Sequence, residues 1–468
     1  MKRLFLILFL FYSALCVPLA VRQDSALASD LVVSNNAIVC ILGDSLMIDQ
    51  TAPITGYRFP DYVESYFQLN YPNAGIHVFQ LSRSGGDMND MLTNRVQEAG
   101  LPLWGFGFNN NQHLGIVQAT DNSGLNSNQM YLALSNVFQA PALMSDGDST
   151  LVTHTGWTTT NTIQWLGLGD PPSASSDGGP DAQGARNNAA TNAGWRLGIR
   201  GIDVWNPLSN SWTADFNANG GTNIQFFSSD TGKGGHVGSG GQLSWVFAFL
   251  KSITADTNIS TCTVDWNSST PVATNHCVVS SISKSGSTLT FTRRDDRLPL
   301  AFDIPDGTIT NDCSGAFRLI PGDANFFQFT LQITNLPTGI YSVRIDGIRV
   351  ATLSNTVLAA GWNMFTNTVG PYWNQRTEVL GRIRDKEHVD RVTLVPGSAG
   401  DGQGMISFGS NAFAQWGSNK RGDALINSLS NNVVNVLGFD ALTTAAAQPT
   451  NHTFEIMPLA PRFAPAHR

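Results

Sequence analysis

The segment from Ala37 to Ser45 constrains this chain most, because it is an apolar run of strand length that ends in the polar sequence Gly43-Asp44-Ser45. Such a run is typical of a buried strand in a parallel sheet, and open α/β sheets place their chemistry at the carboxyl ends of these strands. Gly43 lets the backbone turn sharply as it leaves the strand. Ser45 is therefore the candidate nucleophile. From these residues alone, an ordinary turn with a capping serine is the alternative.

Segments with strand and helix patterns alternate from this point to about residue 256. The pattern predicts helices from Phe59 to about Leu69 and from Gly241 to Ile253, the second of them nearly all apolar and therefore buried. The strands predicted after the first one are Ile76 to Leu81, Leu101 to Phe108, Leu151 to His154 and Gly201 to Val204. The alternation predicts an α/β fold with a parallel, doubly wound sheet.

Small and polar residues follow several of these predicted strands. Gly86 precedes a predicted helix, where exposed backbone N–H groups can bind a developing negative charge, although a glycine turn capped by Asp87 fits equally well. Asn109 follows the predicted strand that ends at Phe108. Asp230 and His236 lie in a glycine-rich loop directly before the buried helix, where His236 is a candidate general base. A histidine in a solvent-exposed loop without such a role is the alternative.

The pattern changes at about Thr257, where short β-rich segments replace the alternation. They are Cys277 to Ile282, Ser287 to Arg293, Phe326 to Ile333 and Tyr341 to Ile345, separated by turn residues. These segments predict a small antiparallel β module. An amphipathic segment from Thr377 to His388 predicts a helix that packs back on the first domain, and the tail after Thr443 has little pattern. The predicted division is a leader of residues 1–28, an α/β domain of 29–256, the β-rich module of 257–354 and a C-terminal region of 355–468.

The N-terminus has the features of a signal peptide. Lys2 and Arg3 precede an apolar run from Leu4 to Leu15, and Ala26-Leu27-Ala28 matches the small-x-small pattern of a cleavage site. Cleavage after Ala28 is expected, with Ala20 as the alternative; the apolar run is short for a retained anchor. The chain is therefore expected to be secreted or periplasmic, without a stable membrane span after cleavage.

Export permits disulfide bonds among the four cysteines that remain after cleavage. Cys262 and Cys277 flank a short polar loop and are the favoured pair, whereas Cys40 lies in the middle of a predicted strand and is expected to be a buried free thiol. None of the cysteines has metal-ligand spacing, so we expect no metal and no cofactor.

Composition bears on the partners. Charged residues make up only 13% of the chain, and the formal net charge is −8. No cluster of Lys and Arg occurs, so nothing favours binding to nucleic acid. A polar but weakly charged chain with 11 Trp residues suits a neutral polymer such as a polysaccharide, although most Trp residues are simply core residues.

Taken together, Gly43-Asp44-Ser45, Gly86, Asn109 and His236 resemble the four ordered blocks of the SGNH (GDSL-type) hydrolases. Further similarity, to an exported bacterial subgroup with an inserted β module, extends over most of residues 37 to 390. The resemblance implies a three-layer, flavodoxin-like α/β domain. It also implies that Ser45 attacks an ester carbonyl, that His236 accepts its proton, and that Ser45, Gly86 and Asn109 form the oxyanion hole.

Two residues depart from the pattern of that family. Asn110 replaces the aspartate that usually ends the third block, and Lys233 occupies the position of the aspartate that precedes the histidine. Asp230 could orient His236 instead, as could a backbone carbonyl or water. The resemblance therefore implies a secreted serine esterase that removes small acyl groups such as acetyl from a carbohydrate. The alternative is a non-catalytic extracellular carbohydrate-binding protein on the same scaffold.

Overall fold

The computed structural model describes residues 35–43, 47, 57–80, 112–118, 162–168, 200–205, 207–209, 239–268, 270–302, 313, 316–317, 320–393 and 437–459. All of them belong to one compact unit. Among these residues, no helix has both the length and the apolar character needed to cross a membrane.

The first part of the unit is a five-stranded parallel sheet. Its strands are β1 (Ile38–Leu42), β2 (His77–Gln80), β3 (Gln112–Gln118), β4 (Thr162–Leu168) and β5 (Arg200–Ile202). Their order across the sheet is β2-β1-β3-β4-β5, and every pairing is parallel. This is the flavodoxin-like doubly wound order. It confirms the predicted fold class.

Strand β1 lies between β2 and β3, and all its residues are buried. Cys40 in its middle is a free thiol, as expected, and burial raises the pKa of that thiol well above its ordinary value. The strands predicted at residues 101–108 and 151–154 lie outside the described residues. The third and fourth strands of the structure come later in the chain, at β3 and β4.

Two helices pack together beside this sheet. They are α1 (Phe59–Asn70) and α2 (Ser239–Ser252), close to their predicted bounds. Pro60 occupies the first turn of α1, where its missing N–H costs nothing, and Asp61 accepts a hydrogen bond from the N–H of Arg58 at 2.7 Å. The ring of Phe59 lies 4.7 Å from that of Trp245, centroid to centroid, and both residues are fully buried.

The β-rich part contains two sheets. Its strands are β6 (Asn258–Asp265), β7 (Thr270–Asn275), β8 (Cys277–Ser285), β9 (Thr288–Asp295), β10 (Gln328–Thr334), β11 (Ile340–Ile345), β12 (Ile348–Ser354), β13 (Trp362–Asn363) and β14 (Asn451–Pro458). One sheet has the order β13-β10-β6-β7 and is mixed, because β6 and β10 run parallel. The other has the order β12-β11-β14-β9-β8 and is antiparallel throughout. The sequence predicts an antiparallel module, and the parallel pairing of β6 with β10 shows that this prediction is wrong for one of the two sheets.

The C-terminal region contributes to both parts of the unit. It contains α3 (Asn355–Ala360), α4 (Pro371–Thr393) and α5 (residues 437–447). Lys386 of α4 reaches α1, where its Nζ donates to Glu64 Oε1 at 2.5 Å. Strand β14 lies between β9 and β11, so the tail that lacks a clear pattern supplies a central strand. Phe454 and Ile456 are fully buried there, on the inward face of the strand.

Candidate active site

The order of the parallel strands defines a crevice at one edge of the sheet. The chain passes from β1 to β2 on one side and then returns to place β3 on the other side of β1. In open α/β sheets, ligands bind outside the carboxyl ends of the strands at such a reversal. Gly43 follows β1 at this edge and is buried. Ser45 stands two residues after Gly43 in the chain.

The five residues predicted to form the site lie outside the described residues. They are Ser45, Gly86, Asn109, Asp230 and His236. The structure instead describes the elements from which their loops start. Strand β1 leads to Ser45, β2 ends six residues before Gly86, and α2 begins three residues after His236.

The segment that follows Ser45 is fixed by a side chain of the neighbouring strand. Gln80, the last residue of β2, donates a hydrogen bond from Nε2 to the carbonyl oxygen of Met47 at 3.0 Å. Both residues are buried. Among the described residues, the buried Oε1 atom of Gln80 has no hydrogen-bond partner. The donated bond holds the carbonyl of Met47, which stands two residues after Ser45 in the chain.

The helix that follows His236 is fixed in a similar way. The Oε1 atom of Gln242, in the first turns of α2, accepts a hydrogen bond from the N–H of Phe59 at 2.9 Å. This N–H lies at the start of α1, where the backbone donors have no partner within the helix. Gln242 is fully buried. It therefore joins the amino ends of α1 and α2, and α2 begins three residues after His236 in the chain.

The position of β3 changes the interpretation of Asn109. Val39 to Leu42 of β1 pair in parallel with Leu114 to Val117 of β3, so the two strands point the same way. Asn109 precedes β3 in the chain, whereas Ser45 follows β1. The residues that leave β3 at the edge of Ser45 are those after Gln118. The first side-chain amide among them in the sequence is that of Asn122.

Gln80 and Gln242 were not identified from the sequence. A weak signal was present for Gln80, because a long polar residue ends a short apolar strand. Gln242 gave none, since a glutamine within an apolar helix is equally compatible with a position on its surface. Their roles depend on Met47 and Phe59, which are far from them in the chain, and only the tertiary structure brings these pairs together.

Comparisons with known proteins support the fold. No family model matches the sequence, and no curated protein matches it. Among solved structures, the chain is similar to BT4096, described as a gut microbial diltiazem-metabolizing enzyme. That similarity has a TM-score of 0.66 at 14% identity and covers 93% of this chain and 100% of the other.

Two smaller proteins match about half of the chain. Axe2, an acetylxylan esterase from Geobacillus stearothermophilus, has a TM-score of 0.30 at 13% identity, with 48% of this chain and 97% of that chain covered. LAE5, an α/β hydrolase enzyme from the metagenome of Lake Arreo in Spain, has a TM-score of 0.29 at 11% identity, with 47% and 96% covered. The similarity to BT4096 extends over nearly the whole chain and shows a shared fold.

Proposed function

We propose that this protein is a serine esterase of the SGNH type with Ser45 as its nucleophile. One observation carries the proposal: Gly43-Asp44-Ser45 follows β1 at the point where the strand order reverses, which is where this fold places its ligands. The hydrogen bond from Gln80 to Met47 supports it, because that bond fixes the chain just beyond Ser45. The similarity in fold to BT4096, itself an enzyme, adds support.

In the proposed reaction, Ser45 Oγ attacks the ester carbonyl while His236 accepts its proton. The alcohol leaves with a proton returned by His236, and water then hydrolyses the acyl-enzyme by the same route. A serine hydroxyl is a weak nucleophile without such a base. Asp230 is the proposed partner that orients His236, because Lys233 occupies the position at which the family has its aspartate.

The negative oxygen of the tetrahedral intermediate would be bound by the backbone N–H groups of Ser45 and Gly86 and by one side-chain amide. The resemblance to the SGNH family assigns that amide to Asn109. The direction of β3 favours Asn122, because Asn122 follows the strand at the edge where Ser45 follows β1. Each aimed donor contributes about 3 kcal/mol of transition-state stabilisation.

The proposed substrate is a small acyl ester, such as an acetyl group, on a carbohydrate outside the cell. The resemblance to the SGNH hydrolases supports the ester. The low charge and the 11 Trp residues fit a neutral sugar, on which aromatic rings stack. The proposed signal peptide would place the protein in the secreted or periplasmic space that such a polymer occupies.

Hydrolysis of p-nitrophenyl acetate tests the proposal. Ser45→Ala and His236→Ala should each lower kcat by about 10⁴-fold or more, because members of a catalytic triad act as a unit. Ser268→Ala is the matched control, since this serine lies exposed in the turn between β6 and β7. Turnover equal to that of the wild type in Ser45→Ala would refute the proposal.

The alternative is a non-catalytic carbohydrate-binding protein with this fold, and Lys233 is the observation that favours it. Wild-type protein that binds an acetylated xylan but releases no acetate from it would support this alternative. Binding to that polymer would then be unchanged in Ser45→Ala. Release of acetate that depends on Ser45 would exclude it.

A further inference from the structure

Two thiols of the β-rich part lie together between its sheets. Cys262 is in β6 of the mixed sheet, and Cys277 is the first residue of β8 in the antiparallel sheet. Both are buried and both are free thiols, so the disulfide bond between them that the sequence favours is not present in the structure. The two thiols are close enough for each to change the pKa of the other. The Cys277 thiol also donates to the carbonyl oxygen of Thr261, the neighbour of Cys262, at 3.2 Å.

A buried guanidinium lies beside this pair. Arg293 of β9 is fully buried, and its Nη1 donates to the sulfur of Cys262 at 3.3 Å and to the carbonyl of Thr330 at 3.0 Å. Its Nε donates to Asp295 at 2.8 Å. Arg293 therefore links the antiparallel sheet to both β6 and β10. A cation next to a thiol stabilises the thiolate, which is the form that attacks a disulfide.

The two thiols differ in acidity. Cys277 is 7% exposed and Cys262 only 1%, so an oxidant reaches Cys277 first and Cys262 follows. Interaction with the Cys262 thiol lowers the pKa of Cys277 to about 6, against the effect of burial. The same interaction, with burial, raises the pKa of Cys262 well above its ordinary value.

The strand between the two cysteines gives an oxidant access. Every residue of β7 is exposed, and β7 is the edge strand of the mixed sheet. An exposed edge strand opens at a lower free energy than a buried central one. Thr274 of β7 is the pairing partner of Cys262, and β7 leads directly to Cys277, so opening β7 frees the backbone beside both cysteines.

We propose that Cys262 and Cys277 are a redox pair that closes to an intramolecular disulfide between the two sheets in the presence of a small disulfide oxidant. The Cys277 thiolate attacks one sulfur atom of oxidised glutathione, forming a mixed disulfide and releasing one glutathione thiolate. Cys262, after losing its proton to solvent, attacks the Cys277 sulfur and releases the second glutathione. Two thiols of the protein are oxidised, and one glutathione disulfide is reduced to two thiols.

Incubation of the full-length protein with oxidised glutathione, followed by alkylation in denaturant and peptide mapping by mass spectrometry, tests this proposal. We expect one linked peptide pair containing Cys262 and Cys277, about 2 Da lighter than the two thiol peptides combined. The oxidised protein should also melt several degrees higher than the reduced protein, and reduction of the disulfide should restore the original melting temperature. Cys40→Ala is the control and should retain the linked pair, because Cys40 lies in β1.

The single variants separate the order of the two steps. In Cys262→Ala, the reaction should stop at a mixed disulfide of Cys277 with glutathione, about 305 Da heavier than the thiol. In Cys277→Ala, Cys262 should remain alkylatable over the same time. Two alkylated thiols at positions 262 and 277 in oxidised wild-type protein would overturn the proposal, as would a linked pair that contains any other cysteine. The wild-type mapping decides the question even where a variant does not fold.

Discussion

Gln80 and Met47 are joined by a hydrogen bond. The side-chain Nε2 of Gln80, the last residue of β2, donates to the backbone carbonyl oxygen of Met47 at 3.0 Å. Strand β2 thereby holds the carbonyl of Met47. Buried backbone groups need hydrogen-bond partners, and Gln80 supplies one from within the sheet. The bond thus connects the packing of the sheet with Met47, which stands two residues after Ser45 in the chain.

Replacement of Gln80 should lower the proposed esterase activity without unfolding the protein. Gln80→Met keeps the length and burial of the side chain but removes the donor to Met47. The loss of one hydrogen bond to a buried carbonyl costs about 1 to 3 kcal/mol, which corresponds to roughly a 5- to 150-fold decrease in kcat if the cost falls on the position of Ser45.

Steady-state kinetics with p-nitrophenyl acetate check this expectation, since a displaced nucleophile changes kcat more than KM. Gln328→Met is the matched control, because Gln328 is an exposed glutamine of β10. A normal kcat in Gln80→Met, with only a lower melting temperature, would show that Gln80 stabilises the fold and does not position Ser45.

The two candidate amides of the oxyanion hole make opposite predictions. If the direction of β3 decides the matter, Asn122→Ala should lower kcat by about 10²- to 10³-fold, whereas Asn109→Ala should leave it near the wild-type value. The reverse result would support Asn109, as the resemblance to the SGNH hydrolases implies. The two variants are measured side by side under saturating substrate, and each serves as the control for the other.

The buried cation between α1, α4 and α5 should contribute strongly to stability. Lys386 is fully buried and lies 2.5 Å from Glu64 Oε1 and 3.0 Å from Asp440 Oδ1, measured from Nζ. Lys386→Met removes the cation and leaves two buried carboxylates beside an apolar group. Breaking a buried ion pair by removing one partner costs about 3 to 5 kcal/mol.

Urea denaturation followed by circular dichroism measures this loss. Arg382→Met is the control on the same helix, because Arg382 pairs with Glu378 at the surface with both side chains at least one-third exposed. That pair should contribute only about 0.3 to 0.5 kcal/mol. A loss below about 1 kcal/mol in Lys386→Met would contradict the importance assigned to the buried cluster.

Acid should weaken the turn between β6 and β7 through Asp265. Hydrogen bonds to its carboxylate, first from the backbone N–H of Ser268, lower the pKa of Asp265 from 3.8 to about 2. Because the folded state has the lower pKa, the stabilisation is fully present above pH 3.8 and is lost as the pH falls through about 2.

This effect is measured by comparing the melting temperatures of the wild type and of Asp265→Asn between pH 5 and pH 2. The wild type should be the more stable protein at pH 5, and the difference should shrink towards pH 2. Ser268→Ala is the control, because it keeps the backbone N–H and should retain most of the pH dependence. A difference that stays constant with pH would show that the carboxylate charge does not contribute.

Much of the fold follows from local patterns in the sequence. The apolar run before Gly43, the proline at the start of α1 and the apolar stretch of α2 predict these elements within a few residues. The same is true of β9 and β11, whose alternating side chains have one buried face. Such elements are predictable because periodicity within a single segment determines which side chains are buried.

The sequence pattern does not predict β3, β4 or β14, and the strands predicted at residues 101–108 and 151–154 stay predictions because they lie outside the described residues. β3 and β14 contain polar residues that weaken the apolar pattern, and β14 becomes a strand only because β9 and β11 pair with its two edges. The position of β3 bears on the proposed function, because Asn109 precedes this strand in the chain. Ser45 stays a prediction; what the structure confirms is β1, the strand before it, which carries a strong local pattern.

The sequence by itself determined that a buried strand delivers Gly43-Asp44-Ser45 to a loop and that a β-rich part follows the α/β part, because both are written in the order and spacing of residue types. Only the tertiary structure decided the strand order, the central place of β14, the contact between Gln80 and Met47 and the contact of the buried Arg293 with Cys262. These relationships join residues from different elements, and packing between elements, not periodicity within one, selects them.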